Sequence, residues 1–245
     1  MNTHAARRPV QGVLFDLDGT LLDTVDDLVH SANHALIAEG LPPSDTATLR
    51  SHVSGGARSM IGFWLVQTLE SRTPLAYPAL NVVEARHEDL FERVVTRMMD
   101  HYEQYPARHT RYFDGMETVL EHLDEQGIPW GIVTNKRARF TTPLAKAMGI
   151  DRRTACIVSG DTTAEAKPHP LPLLEASGRL GINPEYCVYI GDAERDIEAG
   201  RRAGMRTLAA LYGYINADDD IDEWGADDAI DSPMDLLTWM EQIST

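Results

Sequence analysis

Lysine is scarce in this chain. Only three of its 245 residues are lysine: Lys136, Lys146 and Lys167. Any chemistry that needs an ammonium group has few positions to draw on. Cysteine is scarcer still. Cys156 and Cys187 both sit in apolar, strand-like runs and read as core residues, which excludes a disulfide framework and a cysteine-rich zinc site. No apolar run approaches the length of a membrane span. Residues 1–9 include Arg7 and Arg8, with no apolar segment after them like that of a secretory signal, and read as a frayed end. Positive charge is also in deficit. The chain carries 22 basic and 38 acidic residues, formally −16. That field repels nucleic acid and anionic membranes, so neither is expected as a partner. No G-x-x-x-x-G-K-[ST], G-x-G-x-x-G or G-x-S-x-G run occurs, which removes nucleotide-loop and serine-hydrolase readings.

Two patterns divide what is present. From residue 24 to 107 the periodicity is helical. Val25, Leu28, Val29, Ala32 and Leu36 lie one helical turn apart, with Asp23 or Thr24 as cap and Gly40, Pro42 and Pro43 as the stop. Further helices are expected over 57–69 and 82–102. From Met116 onward strands and helices alternate. Strands are expected at 13–15, 129–133 and 186–190 and near Ile157 and Thr207. Helices are expected at 116–123, 143–148, 171–180 and 197–203. Such alternation predicts an α/β fold, a doubly wound parallel-sheet, Rossmann-like core, with an all-helical cap domain inserted after the first strand. The expected core is 1–23 with 108–245, and the expected cap 24–107.

The chemistry-bearing residues follow the strands. Val13-Leu14-Phe15 runs into Asp16-Leu17-Asp18-Gly19-Thr20. Residues two apart on a strand face one side, so one carboxylate can attack as nucleophile while the other moves a proton. The strand ending at Val133 runs into Thr134-Asn135-Lys136, offering a hydroxyl and an amide. Lys167-Pro168 follows a loop and offers a cation for developing phosphate charge. Ile190 runs into Gly191-Asp192-Ala193-Glu194-Arg195-Asp196, two carboxylates four apart at a strand-to-helix turn. Parallel sheets bind ligands beyond the carboxyl ends of their strands, so these four segments are expected to converge.

This ordered set resembles the haloacid dehalogenase superfamily, in its phosphatase branch. Further segments resemble phosphoglycolate phosphatases and their relatives, the N-acetylmuramic acid 6-phosphate phosphatases: Val53-Ser54-Gly55-Gly56-Ala57-Arg58, Tyr112-Phe113-Asp114-Gly115-Met116, Tyr212-Gly213-Tyr214-Ile215 and Trp224-Gly225-Ala226-Asp227. The resemblance implies a cytoplasmic hydrolase of small phosphate esters, monomer or homodimer, with Asp16 as nucleophile and Asp18 as acid and base. Thr134 and Asn135 would hold phosphoryl oxygens and Lys167 would offset charge. Asp16, Asp18 through its carbonyl, Asp192 and Asp196 would hold Mg²⁺, which suits an all-oxygen donor set.

Several residues carry a second reading. Asp196 could simply cap the next helix, and Lys136 reads as a surface residue at a helix start. Arg58, with Gly56 beside it at a helix N-terminus, is either an anchor for a substrate carboxylate or an ordinary surface arginine. His30 and His34 lie i,i+4 on one helix and read as helix-face residues. The acidic run from Asp218 to Glu223 lacks the glycine and terminal glutamate of a calcium loop and reads as a solvated loop. Other reactions on this scaffold fit less well. Dehalogenases lack the second acid that Asp18 supplies, and the helical region has no lysine for a Schiff base. A phosphatase or mutase of another sugar phosphate, or a non-catalytic binding protein, are the remaining alternatives.

Overall fold

The computed structural model describes residues 9–70, 87–216 and 218–244. Residues 1–8 and 82–86, read above as most of a frayed end and as the start of a helix, lie outside the described residues. The chain enters on β1 (Gly12–Phe15) and turns into the short β2 (Leu22–Asp23). Then come α1 (Val25–Ala38), α2 (Thr46–Arg50), α3 (Gly56–Leu65), a π-helical turn at Val66–Glu70, and α4 (Glu88–Gln104). β3 (Arg111–Tyr112) pairs antiparallel with β2. Next are α5 (Met116–Glu125), β4 (Trp130–Val133), α6 (Ala138–Ala147), β5 (Cys156–Val158), α7 (Leu171–Leu180) and β6 (Cys187–Gly191). The chain ends through α8 (Glu194–Ala203), β7 (Arg206–Ala210), α9 (Ile221–Trp224), β8 (Asp228–Ile230) and α10 (Asp235–Ser244). Two compact units result. One is Met1–Asp23 with Arg111–Thr245, the other Thr24–Thr110.

The first unit is built on a six-stranded sheet of order β5-β4-β1-β6-β7-β8, with every pairing parallel. Its central strands are apolar at every position because both faces are covered. All residues of β1, β4 and β6 are buried. Leu14 pairs with Gly131 on one side and Tyr189 on the other. Leu14, Val133, Val158, Leu173 and Tyr189 pack into one core cluster. The α/β expectation holds, and its five expected strands are present. Two of the unforeseen features lie along this sheet. β8 is a three-residue edge strand, exposed at Asp228 and Ala229, and α6 starts at Ala138, well before the expected 143. Pro143 reads as a first-turn proline, but the first turn forms upstream, where the Ala138 N–H donates to Asp161 Oδ1 at 2.8 Å.

The described part of the second unit is helical. α1 buries the expected stripe of Val25, Leu28, Val29, Ala32 and Leu36. α4 buries Phe91, Val94, Met98 and Tyr102 and packs against α1. Thr24 takes the N-cap position of α1 without a side-chain bond. The carboxylate of Asp23 instead accepts from Arg111 and from the Tyr214 hydroxyl, each at 2.9 Å. The unit runs to 110, past the 107 read from the sequence. Asp27, buried on α1, shows why. Its carboxylate accepts from the N–H of His109 at 3.0 Å, and from the N–H and hydroxyl of Thr110 at 2.8 and 2.7 Å.

Asp27→Ala should therefore strand two backbone donors and destabilise the protein by about 2–3 kcal/mol. Urea unfolding measures it. A loss under about 0.5 kcal/mol, the usual reach of a surface change, would mean that these bonds do not hold the segment.

Candidate active site

Every strand that was expected to deliver a functional residue ends at the same edge of the sheet. The Asp16 N–H, just past β1, donates to Ile190 O at 2.9 Å, and the Thr134 N–H, just past β4, donates to Val158 O at 2.9 Å. Asp192 follows β6 directly. β1 lies between β4 and β6, so the chain crosses to both sides of it and leaves a crevice at that switch point.

Lys167 occupies the centre. Its ammonium is buried, with 1% of its side chain exposed, and donates to Asp16 Oδ1 at 2.8 Å. It also contacts Asp196 Oδ1 at 2.7 Å, Tyr189 Oη at 2.7 Å and Val133 O at 2.9 Å. Those acceptors more than use up its three N–H groups. Tyr189 was read only as a strand residue. Its hydroxyl also reaches Val133 O at 2.8 Å and Asp196 Oδ1 at 3.3 Å. Asp196 has two sets of partners, one for each carboxylate oxygen. Oδ1 meets Lys167, while Oδ2 accepts from Ala193 N at 3.1 Å and so caps α8.

Asn135 meets the lysine loop. Its Nδ2 donates to Lys167 O at 2.9 Å and its Oδ1 accepts from Lys167 N at 3.0 Å. The side-chain amide thus clasps the backbone of the lysine, and its second Nδ2 hydrogen is left to donate. Thr134 Oγ1 accepts from Lys136 N at 3.1 Å, which leaves its hydroxyl hydrogen to donate elsewhere.

Lys136 needs correction. It is no surface residue: its side chain is 10% exposed and its Nζ lies 2.6 Å from Asp18 Oδ1. The signal available in the sequence was the scarcity of lysine and the position directly after Thr134-Asn135.

Asp192 is held from two sides. The Thr20 hydroxyl donates to Oδ1 at 3.2 Å and the Tyr214 N–H to Oδ2 at 2.9 Å. Gly19 makes this packing possible. Its φ is +87°, and a Cβ there would collide with Asp192 Oδ2. The Gly19 N–H itself donates to Leu22 O at 3.0 Å.

Asp16, Asp192 and Asp196 are all buried, and each offers a carboxylate oxygen within 4.8 Å of the others. Burial, then Asp16 and Asp196, push the Asp192 carboxyl up to about 7. Burial also raises Asp16, against the opposing pull of Lys167. Arg195, on the first turn of α8, is pulled down by burial. Asp196, Asp16 and Asp192 outweigh that and raise it. Lys167 and Arg195 can offset only part of three carboxylate charges. A phosphate dianion entering the crevice would add more negative charge. Oxygen donors converging under that imbalance fit a hard divalent cation such as Mg²⁺.

The helical unit carries the other two expected residues. Gly56 opens α3 with φ +75°, and its N–H donates to Val53 O at 2.8 Å, so that amide does not point at an anion. Arg58 is half exposed, bonded to Glu92 Oε1 at 2.8 Å and stacked on the Phe91 ring at 4.5 Å.

Comparison with known proteins accords with the motifs. A family profile described as haloacid dehalogenase-like hydrolase matches residues 13–210. An N-acetylmuramic acid 6-phosphate phosphatase of Pseudomonas aeruginosa is 38% identical, over 96% of this chain and 97% of its own. A phosphoglycolate phosphatase of Xanthomonas campestris is 41% identical, over 92% and 94%. Among solved structures, a protein described as a predicted phosphoglycolate phosphatase from Haemophilus somnus superposes with a TM-score of 0.77 at 27% identity, covering 94% of this chain and 97% of its own. A hydrolase from Pseudomonas syringae gives 0.65 at 26% identity, with 95% and 99% covered. No helix among the described residues is long and apolar enough to cross a membrane. With its ordered motifs, its six-stranded parallel sheet and a profile match over most of its length, the chain belongs to the haloacid dehalogenase-like hydrolases.

Proposed function

We propose that this chain is a Mg²⁺-dependent phosphomonoester hydrolase, working through phospho-Asp16 on a small phosphate ester that also carries a carboxylate. The observation that carries this reading is the pairing of two carboxylates with two ammonium groups at one strand end: Asp16 with Lys167 and Asp18 with Lys136. Asp16 Oδ1 is fixed by Lys167, so its other oxygen is the one to attack phosphorus. Lys136 orients Asp18, which gives a proton to the leaving alkoxide and later takes one from the attacking water. Thr134 donates its hydroxyl to a phosphoryl oxygen. Lys167 offsets charge on Asp16 and on the phosphoryl group, and Asn135 holds Lys167 in place through its backbone. Asp16, Asp192 and the Asp18 carbonyl would hold Mg²⁺, with Asp196 binding directly or through water. The ion supplies charge neutralisation at the phosphoryl oxygens when bound. The substrate class is taken from the similar proteins named above, since 2-phosphoglycolate and N-acetylmuramic acid 6-phosphate share a carboxylate.

Asp16→Asn should abolish turnover in a folded, deamidation-checked sample, because an amide forms no acyl phosphate. Asp18→Asn should slow hydrolysis of alkyl phosphates far more than that of para-nitrophenyl phosphate, whose leaving group needs little protonation. Equal losses on both substrates would remove the acid role.

The cation has a stability signature. Asp192 sits at about 7 against an ordinary 3.8. Between those values the folded protein holds a proton that the unfolded chain has released, so stability in chelator should fall as pH rises through this window. Asp192→Asn should raise the Tm in chelator at about pH 8 by on the order of 2–4 °C, the equivalent of about 1 kcal/mol. Mg²⁺ should raise the wild-type Tm at that pH and have less effect on the variant. An equal Mg²⁺ response in both would contradict the ligand assignment.

Arg58 is proposed to bind the substrate carboxylate, exchanging Glu92 for it. An exposed ion pair of this kind is worth about 0–1 kcal/mol and is readily surrendered. Arg58→Ala should lower kcat/KM for the carboxylated ester by about 1.5–3 kcal/mol, or ten- to a hundredfold, and leave para-nitrophenyl phosphate nearly unchanged. Glu92→Gln should lower KM for the same ester. Matching losses on both esters for Arg58→Ala would assign the arginine a structural role instead.

A further inference from the structure

The helical unit contains a histidine cluster that the proposed hydrolysis leaves unused. His30 and His34 stand one turn apart on the exposed side of α1. His101 on α4 is buried beside them. Its ring lies 4.1 Å from that of His34 and 5.4 Å from that of His30, centroid to centroid.

The tautomer of His101 follows from its neighbour. The Ser31 hydroxyl donates its hydrogen to Asp27 O at 2.8 Å. Ser31 Oγ therefore has only lone pairs to offer His101 Nδ1, 3.0 Å away. Nδ1 must carry the proton, which leaves a lone pair on Nε2. A serine hydroxyl that fixes a ring in this way is the kind of support that metal-binding histidines receive from their surroundings. Burial, then His34, His30 and Arg108, lowers the His101 pKa, so the ring is neutral at pH 7.

We propose that His30, His34 and His101 form a binding site for one transition-metal ion of the Zn²⁺ or Ni²⁺ type. Three imidazoles with water in the remaining position suit such ions, whereas the carboxylate cluster suits hard cations. No ligand is shared between the two sites. In the structure the rings of His34 and His101 stack within 23° of parallel, so their in-plane lone pairs do not meet. Binding requires the exposed rings of His30 and His34 to turn, a fast motion for surface side chains. The formal net charge of −16 favours cation uptake. Arg108, stacked on Tyr105 at 3.9 Å, opposes it locally.

The test is calorimetric titration of the full-length, chelator-stripped protein with ZnCl₂ or NiCl₂ in excess Mg²⁺, which keeps the carboxylate site filled. One ion should bind per chain near neutral pH and be displaced at about pH 5 as the imidazoles protonate. His30→Gln and His34→Gln, both at exposed positions, should each weaken binding about tenfold or more. Ser31→Ala, which touches no ion, should weaken it about ten- to a hundredfold by releasing the His101 ring. Co²⁺ in place of zinc should show visible absorption bands that the double variant His30→Gln/His34→Gln lacks. Wild-type affinity in the double variant, or absence of binding by the wild-type protein at about 100 μM Zn²⁺, overturns the proposal.

Discussion

One buried ammonium organises the site. Lys167 is almost wholly removed from water and is surrounded by Asp16, Asp196, Tyr189 and a backbone carbonyl. A charge at that depth is tolerated only when paired and hydrogen-bonded, and loss of any partner leaves the rest uncompensated. The constraint runs outward from there. Asp196 is held by the lysine and caps α8, so the helix following β6 is locked to the crevice floor. Asn135 fixes the lysine backbone to the loop after β4. The ends of β1, β4 and β6 are thereby tied through one side chain.

The same arrangement explains how an acidic protein can be suited to an anionic substrate. The long-range field repels a phosphate ester, and the attraction has to be local. Lys167, Lys136 and Arg195 place positive charge at one end of the sheet, where low polarity strengthens short-range electrostatics. The carboxylates among them are more than these cations balance, a surplus that suits a hard divalent cation.

Much of this was legible in the sequence, for local reasons. Asp16, Thr134 and Asp192 each follow a continuous apolar run, and a run buried on both faces has to be a central strand. The parallel sheet and its site edge follow from that pattern. What was not legible depends on partners far apart in the chain. Lys136 looks like a surface residue until β4 is set beside β1 and Asp18 comes within reach. Tyr189 reads as strand filler because its hydroxyl meets Lys167 only across the fold. Asn135 shows the converse. Its amide marks a hydrogen-bonding position, but the residue type does not say whether the partner is a substrate or a loop. The β2–β3 ribbon and β8 are too short for periodicity to register.

The ribbon of β2 and β3 has a consequence for how such a chain can change. Leu22 lies opposite Tyr112 and Asp23 opposite Arg111, so the exit from the sheet unit and the return to it are adjacent. Within the helical unit, Asp27 likewise gathers the final two residues, His109 and Thr110, back to its first turn. Everything between is topologically a single closed loop, and the loop-closure entropy of such an insertion grows only slowly with its length. Helices can thus be lengthened, exchanged or lost there without altering the strand order that holds the carboxylates.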